Sequence, residues 1–189
     1  MPAPRLSRML VLDATLALAS ERGLASVTMR AVAGQLGVTP MALYRHVGDK
    51  QGLLDALVER LLLEIPLPDP GLAWPEQLHG LTQSLRAAAR RHPDLFVLLF
   101  QRPATAGAAL GPRNAIYRTL RQAGVPEDRL RQAERLLSTF MLGFAASEAG
   151  GRLRGVDTDA DLAVAEALIG RFILECAASQ PIAAAEPGR

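Results

Sequence analysis

The chain has 189 residues, of which 21% are charged and 49% hydrophobic, and its formal net charge is +2. This composition predicts a folded globular protein and excludes a highly charged disordered chain. Cys176 is the only cysteine, which excludes an internal disulfide and a metal site built from several cysteines. No apolar run approaches the roughly 18–20 residues of a membrane-spanning helix. We therefore expect a cytoplasmic protein without a membrane partner.

Positive charge is concentrated in the first fifty residues. This segment holds six basic side chains against three acidic ones, whereas residues 51–189 hold 15 basic and 16 acidic ones. A basic excess at one end of a chain is typical of proteins that bind a polyanion such as nucleic acid. The six basic residues are Arg5, Arg8, Arg22, Arg30, Arg45 and Lys50, of which the last is the only lysine of the chain.

Helical periodicity runs along the whole chain, and no segment alternates with the period of two that strands show. A first helix is predicted over about 5–21. Arg5 and Arg8 before its apolar residues resemble the start of a signal peptide, which is the alternative, but Asp13 interrupts the apolar run. A second helix begins near Thr28, which can cap it, and a third follows the potential cap Thr39. The fold class is therefore predicted to be all-α.

The segment IPLPDPG at 65–71 is the clearest boundary, because three prolines and a glycine cannot continue a helix. A fourth helix, capped by Asp49, leads up to it. Beyond it the periodicity predicts helices at about 75–91, 93–101, 112–123, 127–149 and 159–178. We expect a helix-turn-helix domain over 1–50, a connecting helix over 51–65, a second helical domain over 72–180 and a frayed tail over 181–189.

The second and third helices have the lengths and the tight turn of a helix-turn-helix, whose second helix enters the DNA major groove. At about 100° per residue, Leu43 and Val47 point to one side of the third helix, and Met41 and Arg45 point to the other. An outward arginine can donate two hydrogen bonds to guanine. The residues predicted to contact bases or phosphates are Thr28, Arg30, Thr39, Met41, Ala42, Tyr44, Arg45, His46 and Lys50.

Several of these residues have a second interpretation. Tyr44 could be a core aromatic residue, and His46 could mainly cap or pack. Lys50 could be a solvated surface charge. Arg45 is exposed under either interpretation, so its contact with a base is a separate hypothesis.

Four short motifs stand out in the first part of the chain: TMRAVA (Thr28–Ala33), LGV (Leu36–Val38), ALYRHV (Ala42–Val47) and DKQGLL (Asp49–Leu54). With them this segment resembles the DNA-binding domain of the tetracycline-repressor (TetR) family. A sparser set beyond residue 71 consists of Trp74, Leu78, Leu81, Arg86, His92–Pro93, Arg102–Pro103, Leu120 and Ala123–Gly124. With these residues the second part resembles the C-terminal domain of the tetracycline-repressor subgroup. The resemblance implies a dimeric, all-helical regulator whose second domain binds a small-molecule effector and mediates dimerisation.

The last predicted helix, at 159–178, is apolar nearly all round, and the one before it, at 127–149, carries apolar residues at three- and four-residue steps. A helix with two apolar faces needs a partner on each, and a second copy of the chain can supply one of them. The alternative is that both faces pack within one chain. In the family, the last two long helices form a four-helix dimer interface. We therefore predict a homodimer with Leu137, Met141, Leu168 and Phe172 at its interface.

The effector site is predicted from apolar and aromatic side chains, each of which could instead be ordinary core. The resemblance suggests tetracycline with magnesium, but where drug-binding members place an amide and a metal-ligating histidine this chain has Leu81 and Leu98 or Leu99. We therefore expect a mostly apolar effector, with no metal and no cofactor. The candidates are Leu81, Leu85, Phe96, Leu99, Phe100, Gln101, Arg102, Tyr117, Phe140 and Phe144.

The leading hypothesis is a repressor that binds a near-palindromic operator as a homodimer and is released by its effector. Alternatives are an activator of the same family and an effector-independent architectural helix-turn-helix protein. An enzyme is not expected, because three histidines and one cysteine show no metal-ligand or triad-like spacing with carboxylates.

Overall fold

A computed structural model describes residues 6–102 and 107–178. Every regular element in those ranges is helical, so the predicted all-α class is confirmed. The first five residues and the predicted tail over 181–189 lie outside the described residues. The elements are α1 (Arg8–Arg22), a 3₁₀ turn (Leu24–Ser26), α2 (Met29–Leu36), α3 (Pro40–Val47), α4 (Lys50–Leu63), α5 (Trp74–Arg91), α6 (Pro93–Phe96), α7 (Leu98–Gln101), a second 3₁₀ turn (Gly107–Leu110), α8 (Gly111–Gln122), α9 (Glu127–Ala149) and α10 (Thr158–Ala178).

Side-chain caps start the helices of the first fifty residues much as their sequence predicts. The Thr28 hydroxyl and the Asp49 carboxylate each accept a hydrogen bond from the backbone N–H three residues ahead, at 3.1 and 3.0 Å. Gly37 ends α2 in the left-handed region, at φ 65°. Thr39 occupies the predicted N-cap position of α3, although its side chain makes no capping hydrogen bond. Pro40, whose fixed φ suits a first turn, begins the helix.

The predicted helix at 93–101 is also wrong in part, because a turn at Val97 divides it into α6 and α7. The other helices beyond residue 71 begin and end within one residue of their predicted limits. In the described ranges, no helix combines the length and apolar character needed to cross a bilayer.

The hydrophobic core is continuous from α1 to α10. In the first part α1 packs against α4, and in the second part α5 and α8 both pack against α9. The inner face of α9 contributes Leu130, Leu137 and Met141 to this core. By contrast, Leu162 and Ile173 are the buried residues among those described on α10, which leaves most of that helix on the surface.

A buried ion network joins α5 to the end of α9 and the start of α10. The Arg86 guanidinium is almost fully buried and donates two hydrogen bonds to the Glu148 carboxylate, at 2.7 and 2.6 Å. It donates a third to Asp159 at 2.7 Å. Hydrogen bonding from Arg86 holds the pKa of Glu148 below its ordinary value, although partial burial opposes the shift. The network therefore fixes α5 against α9 with charges that persist at neutral pH.

Candidate functional site: an exposed helix-turn-helix face and a neighbouring cavity

The third helix has one buried face and one exposed face. Leu43 is fully buried and Val47 nearly so, where they pack in the core. On the opposite side the Met41 side chain is 74% exposed, and Tyr44 and Arg45 are exposed as well. The exposed methionine and tyrosine leave apolar surface in contact with water on one short helix. A partner bound to this face would remove that surface from water. The helix α3 therefore has the buried face and the exposed face that its periodicity predicts.

The remaining predicted DNA-contacting residues lie on α3 or at the start of the helices α2 and α4, which pack against it. Thr28 and Arg30 are exposed at the start of α2, Lys50 is exposed at the start of α4, and His46 is half-buried. On the surface of α3 and its N-cap there is an open concavity, which is lined by Thr39, Met41, Ala42, Tyr44 and Arg45. These positions are compatible with one ligand surface, and contact with DNA stays a prediction.

Arg8, one of the six basic residues of the first fifty, makes contacts within the folded chain. Its guanidinium donates to the His46 backbone carbonyl at 2.8 Å and forms an ion pair with Glu59 at 2.5 Å. A similar pair joins Arg60 on α4 to Asp13 on α1. The charge of Arg8 is therefore partly offset, and the exposed Arg30, Arg45 and Lys50 carry more of the positive potential.

The turn between α3 and α4 brings the two helices into direct backbone contact. Gly48 adopts φ 73°, a conformation that glycine reaches without strain. The Asp49 N–H then donates to the Val47 carbonyl at 3.0 Å. Gly52, in the first turn of α4, lies against the same carbonyl, because a Cβ added there would overlap the oxygen. A displacement of the first turn of α4 must therefore displace the end of α3.

The second part of the molecule contains a cavity of about 270 Å³ between α4, α5, α7, α8 and α9. Seven of its lining residues are apolar, and the others supply three guanidinium groups, one carboxylate and one hydroxyl. A mostly apolar cavity with a few polar groups is the usual form of a small-molecule site. The lining consists of Leu62, Leu85, Leu99, Arg102, Ala109, Pro112, Arg113, Ile116, Glu134, Arg135, Ser138 and Leu142.

Three of the ten residues predicted to bind the effector line this cavity, and their contact with an effector stays a prediction. Leu85, Leu99 and Arg102 line the cavity, but the other seven lie elsewhere. Leu81 and Phe96 are packed in the core, and Phe100 and Gln101 are exposed. Arg113 and Arg121 lie over the ring of Tyr117, and Phe140 and Phe144 contact each other beside a separate groove.

Glu134 is the main cavity residue that the prediction missed. It is only 4% exposed, and it lies on the same face of α9 as Leu130, Leu137 and Met141. A charged residue within such an apolar stripe is a signal that could have identified it from sequence. Among the described residues its hydrogen-bond donor is Arg113, at 3.4 Å, which is at the long limit for a hydrogen bond.

Arg113 is nevertheless charged beside this carboxylate. Partial burial lowers its pKa, but attraction to Glu134 and a hydrogen bond to Tyr117 outweigh that effect and raise the pKa above its ordinary value. The pair is loose, since the Arg113 side chain is 48% exposed and both of its hydrogen bonds are 3.4 Å long.

Arg102 connects the cavity to the first turns of α4. It forms an ion pair with Asp55 at 2.5 Å and donates to the backbone carbonyl of Gln51 at 3.3 Å. It also donates to the side-chain carbonyl of Gln51. One residue thus touches both the cavity and the helix segment that contacts α3.

The outward sides of α9 and α10 form an apolar surface. Leu136, Phe140, Leu168 and Phe172 line a groove there, and Leu168 is 59% exposed. Of the four residues predicted at a dimer interface, Leu168 and Phe172 lie on this surface, and Leu137 lines the groove although it is only 2% exposed. Met141 is buried on the inner face of α9, where a second copy of the chain would not contact it. Dimerisation through this surface stays a prediction.

Chemically reactive groups are sparse in the part of the chain that the structure describes. Cys176 is half-buried, and burial raises the pKa of its thiol. No group of three metal-ligating side chains occurs among the described residues. His92 lies between Ser20 and Glu64, at 3.2 and 3.0 Å, where it links α1 and α4 to the start of α6.

Comparison with known proteins matches both parts of the chain. Residues 11–57 match the family model of bacterial regulatory proteins of the tetR family, and residues 67–174 match the tetracyclin repressor-like C-terminal domain. The chain is 32% identical over 163 residues to the class C tetracycline repressor protein of Escherichia coli. These aligned residues cover 81% of this chain and 73% of that protein.

Two further relatives are informative. The HTH-type transcriptional repressor DrrR1 of Streptomyces coeruleorubidus is 29% identical over 151 residues, which cover 78% of this chain and 55% of DrrR1. The chain thus spans about half the length of that relative. The crystal structure of BioQ with its natural double-stranded DNA operator has a TM-score of 0.73 at 29% identity and covers 90% of this chain and 99% of that one. The chain therefore belongs to the TetR family of bacterial regulatory proteins, and its second part is a tetracycline-repressor-like C-terminal domain.

Proposed function

We propose that this chain is a transcriptional repressor that binds a near-palindromic DNA operator as a homodimer and is released by a mostly apolar small molecule. The observation that carries the proposal is the two-sided third helix. Leu43 and Val47 anchor it in the core while Met41, Tyr44 and Arg45 face outward. A short helix held in this way, after a tight turn, can enter a major groove. BioQ, which has the same fold, has been solved with its operator.

DNA binding is tested first, by selection from random double-stranded DNA followed by anisotropy titrations at several salt concentrations. The proposal expects a two-fold symmetric selected sequence and steeply salt-dependent binding. Arg45→Ala should weaken binding to the selected sequence more than binding to scrambled DNA. Arg131→Ala, which removes an exposed arginine from α9, is the matched control and should bind normally. Binding with no sequence preference would contradict the proposal.

Dimerisation is supported by the apolar surface of α9 and α10. Leu168 is 59% and Val164 63% exposed on the same side of α10, one turn apart, and the neighbouring groove is apolar. Covering such a surface with a second copy removes it from water. In such a dimer, the α3 helices of the two copies could bind two half-sites of one DNA operator, about 34–36 Å apart.

The dimer is tested by sedimentation velocity of Leu168→Arg against the unchanged chain. The variant should sediment as a monomer and lose operator affinity. Val97→Arg places the same charge at another exposed apolar position and should leave the dimer intact. A monomeric unchanged chain that still binds the selected DNA with full affinity would overturn this part of the proposal.

Release by a small molecule is supported by the cavity and by Arg102. The cavity favours a ligand-responsive regulator over an effector-independent architectural protein, because a closely packed core would leave no such space. Arg102 lines the cavity and holds Gln51 and Asp55, so a ligand that displaces it would release the first turn of α4. A coupling of ~1–3 kcal/mol would lower operator affinity about 5–150-fold.

A further inference from the structure

Among the described residues that line the cavity, Glu134 is the one charged residue that is buried. Its side chain is 5% exposed, whereas the side chains of Arg102 and Arg113 are 21% and 48% exposed. Arg135, the third arginine of the lining, is exposed as well. Charges that face water are screened by the solvent and its ions, and a buried charge is screened much less. The electrostatic character of the inner cavity is therefore set mainly by Glu134.

This carboxylate is incompletely paired. A buried carboxylate has about four acceptor sites, and the donor to Glu134 among the described residues is the loosely held Arg113 at 3.4 Å. Arg102 is already engaged by Asp55 and Gln51. Burying a charge without close hydrogen-bond donors is costly, so a bound molecule that supplies a donor recovers part of that cost.

The rest of the lining defines the body of such a molecule. Leu62, Leu85, Leu99, Ile116 and Leu142 surround the cavity with aliphatic surface. These side chains can make van der Waals contact with a flat or branched hydrocarbon, but they cannot form hydrogen bonds with it. A ligand therefore gains affinity from an apolar body and orientation from one polar group that reaches Glu134.

We propose that the effector is a mostly apolar molecule bearing a hydrogen-bond donor, either a protonated amine or a hydroxyl, that binds the Glu134 carboxylate. This inference rests on the proposed ligand-responsive function. A protonated amine forms the stronger, charge-assisted bond, a hydroxyl a weaker one, and a carboxylate is repelled. The order of preference is therefore amine, alcohol, then carboxylic acid on one hydrocarbon body.

The test uses three para-substituted biphenyls as probes: biphenylmethylamine, biphenylmethanol and biphenylcarboxylic acid. Their affinities for the full chain are measured by calorimetry at neutral pH, without DNA. The amine should bind at least about tenfold more tightly than the acid, with the alcohol between them. In Glu134→Leu, which replaces the buried charge by an apolar side chain of similar size, the three affinities should become similar.

Two controls separate a specific loss of preference from a loss of folding. Glu134→Leu must keep the far-ultraviolet circular dichroism and a cooperative melting transition, as replacement of buried charges by apolar groups often allows. Ser138→Ala changes another polar group of the same cavity and should keep the order of the three probes.

Three results would overturn the inference: an acid that binds as tightly as the amine, no binding of any probe, or the same order of affinity in Glu134→Leu. None of them bears on operator binding, which is measured separately without any ligand. Conversely, a chain that binds no DNA but prefers the amine through Glu134 would refute the proposed function and leave the cavity chemistry in place.

Discussion

Gly52 lies against the Val47 carbonyl, so that α4 and α3 meet through backbone with no side chain between them. A Cβ added at Gly52 would overlap the carbonyl oxygen and lie 2.8 Å from the carbonyl carbon. Such an overlap can be relieved only by moving one helix relative to the other, since backbone atoms cannot rotate away. The contact therefore fixes the angle at which α3 is presented.

Gly52→Ala should weaken operator binding by at least about tenfold, or ~1.4 kcal/mol, because α3 would be reoriented. The free energy of unfolding should also fall by about 1–3 kcal/mol, as in other overpacked sites. Anisotropy with the selected operator and urea unfolding measure the two effects.

Gly34→Ala is the matched control, since a Cβ there meets nothing within 4 Å. It should stabilise α2 by about 0.5–1 kcal/mol, the usual gain for this exchange in a helix. If Gly52→Ala were as well tolerated as this control, the close contact would have no role in presenting α3.

Lys50 and Arg45 should affect DNA binding in different ways. Lys50→Ala should weaken binding to all sequences alike and reduce the slope of log affinity against log salt by about one, because one phosphate contact is lost. Arg45→Ala should instead reduce discrimination at one base pair, by ~1–3 kcal/mol. Titrations on the operator, on single-base variants and at several salt concentrations distinguish them. The same loss of discrimination in Lys50→Ala would show that Lys50 and Arg45 do not have the distinct roles assigned to them.

Local periodicity was sufficient to predict the two faces of α3. Leu43 and Val47 are one helical turn apart and Arg45 is opposite, and the helix is short and bounded by Thr39 and Gly48. The neighbours that bury Leu43 did not need to be known, because any core would select the apolar side.

The cavity could not be predicted in this way. Leu81 and Leu85 are also one turn apart on α5, yet Leu81 is packed in the core and Leu85 lines the cavity. The difference depends on the rotation of α5 against α8 and α9, which is decided by contacts between segments far apart in the sequence. Glu134 is the exception, since a carboxylate in the stripe formed with Leu130 and Leu137 indicates a special environment before any contact is known.

Arg102 should hold the first turns of α4 in place. In Arg102→Gln, hydrogen exchange at the amides after Gln51 should become faster, because the ion pair with Asp55 and the hydrogen bonds to Gln51 are lost. Global stability should change little, since Asp55 is 60% exposed and exposed pairs contribute about 0–1 kcal/mol.

The control for Arg102 is Arg135→Gln, which changes another arginine of the same cavity on α9. It should leave hydrogen exchange in α4 unchanged. Equal protection of the first turns of α4 in both variants would remove Arg102 from the proposed path between the cavity and α3.

The Arg86–Glu148 pair predicts how stability depends on pH. The pKa of Glu148 is lower in the folded chain than its ordinary value of 4.5, so its ionised form is favoured by folding. The stability that it contributes is therefore complete above about pH 4.5 and is lost as the pH falls through the lower folded pKa. Chemical unfolding between pH 3 and 7, roughly the range over which carboxylates titrate, should show a difference between the unchanged chain and Glu148→Gln that shrinks towards the acid end.

At neutral pH the loss in Glu148→Gln should be large, about 3–5 kcal/mol, because Arg86 is left buried without its main charged partner. Glu127→Gln is the matched control: hydrogen bonding from Arg121 also lowers the pKa of Glu127, but both side chains are exposed and water screens the pair. Its effect on stability should be small at every pH. A loss in Glu148→Gln that stayed constant down to pH 3 would mean that Arg86 stabilises the fold through packing against Phe144 and not through the charge of Glu148.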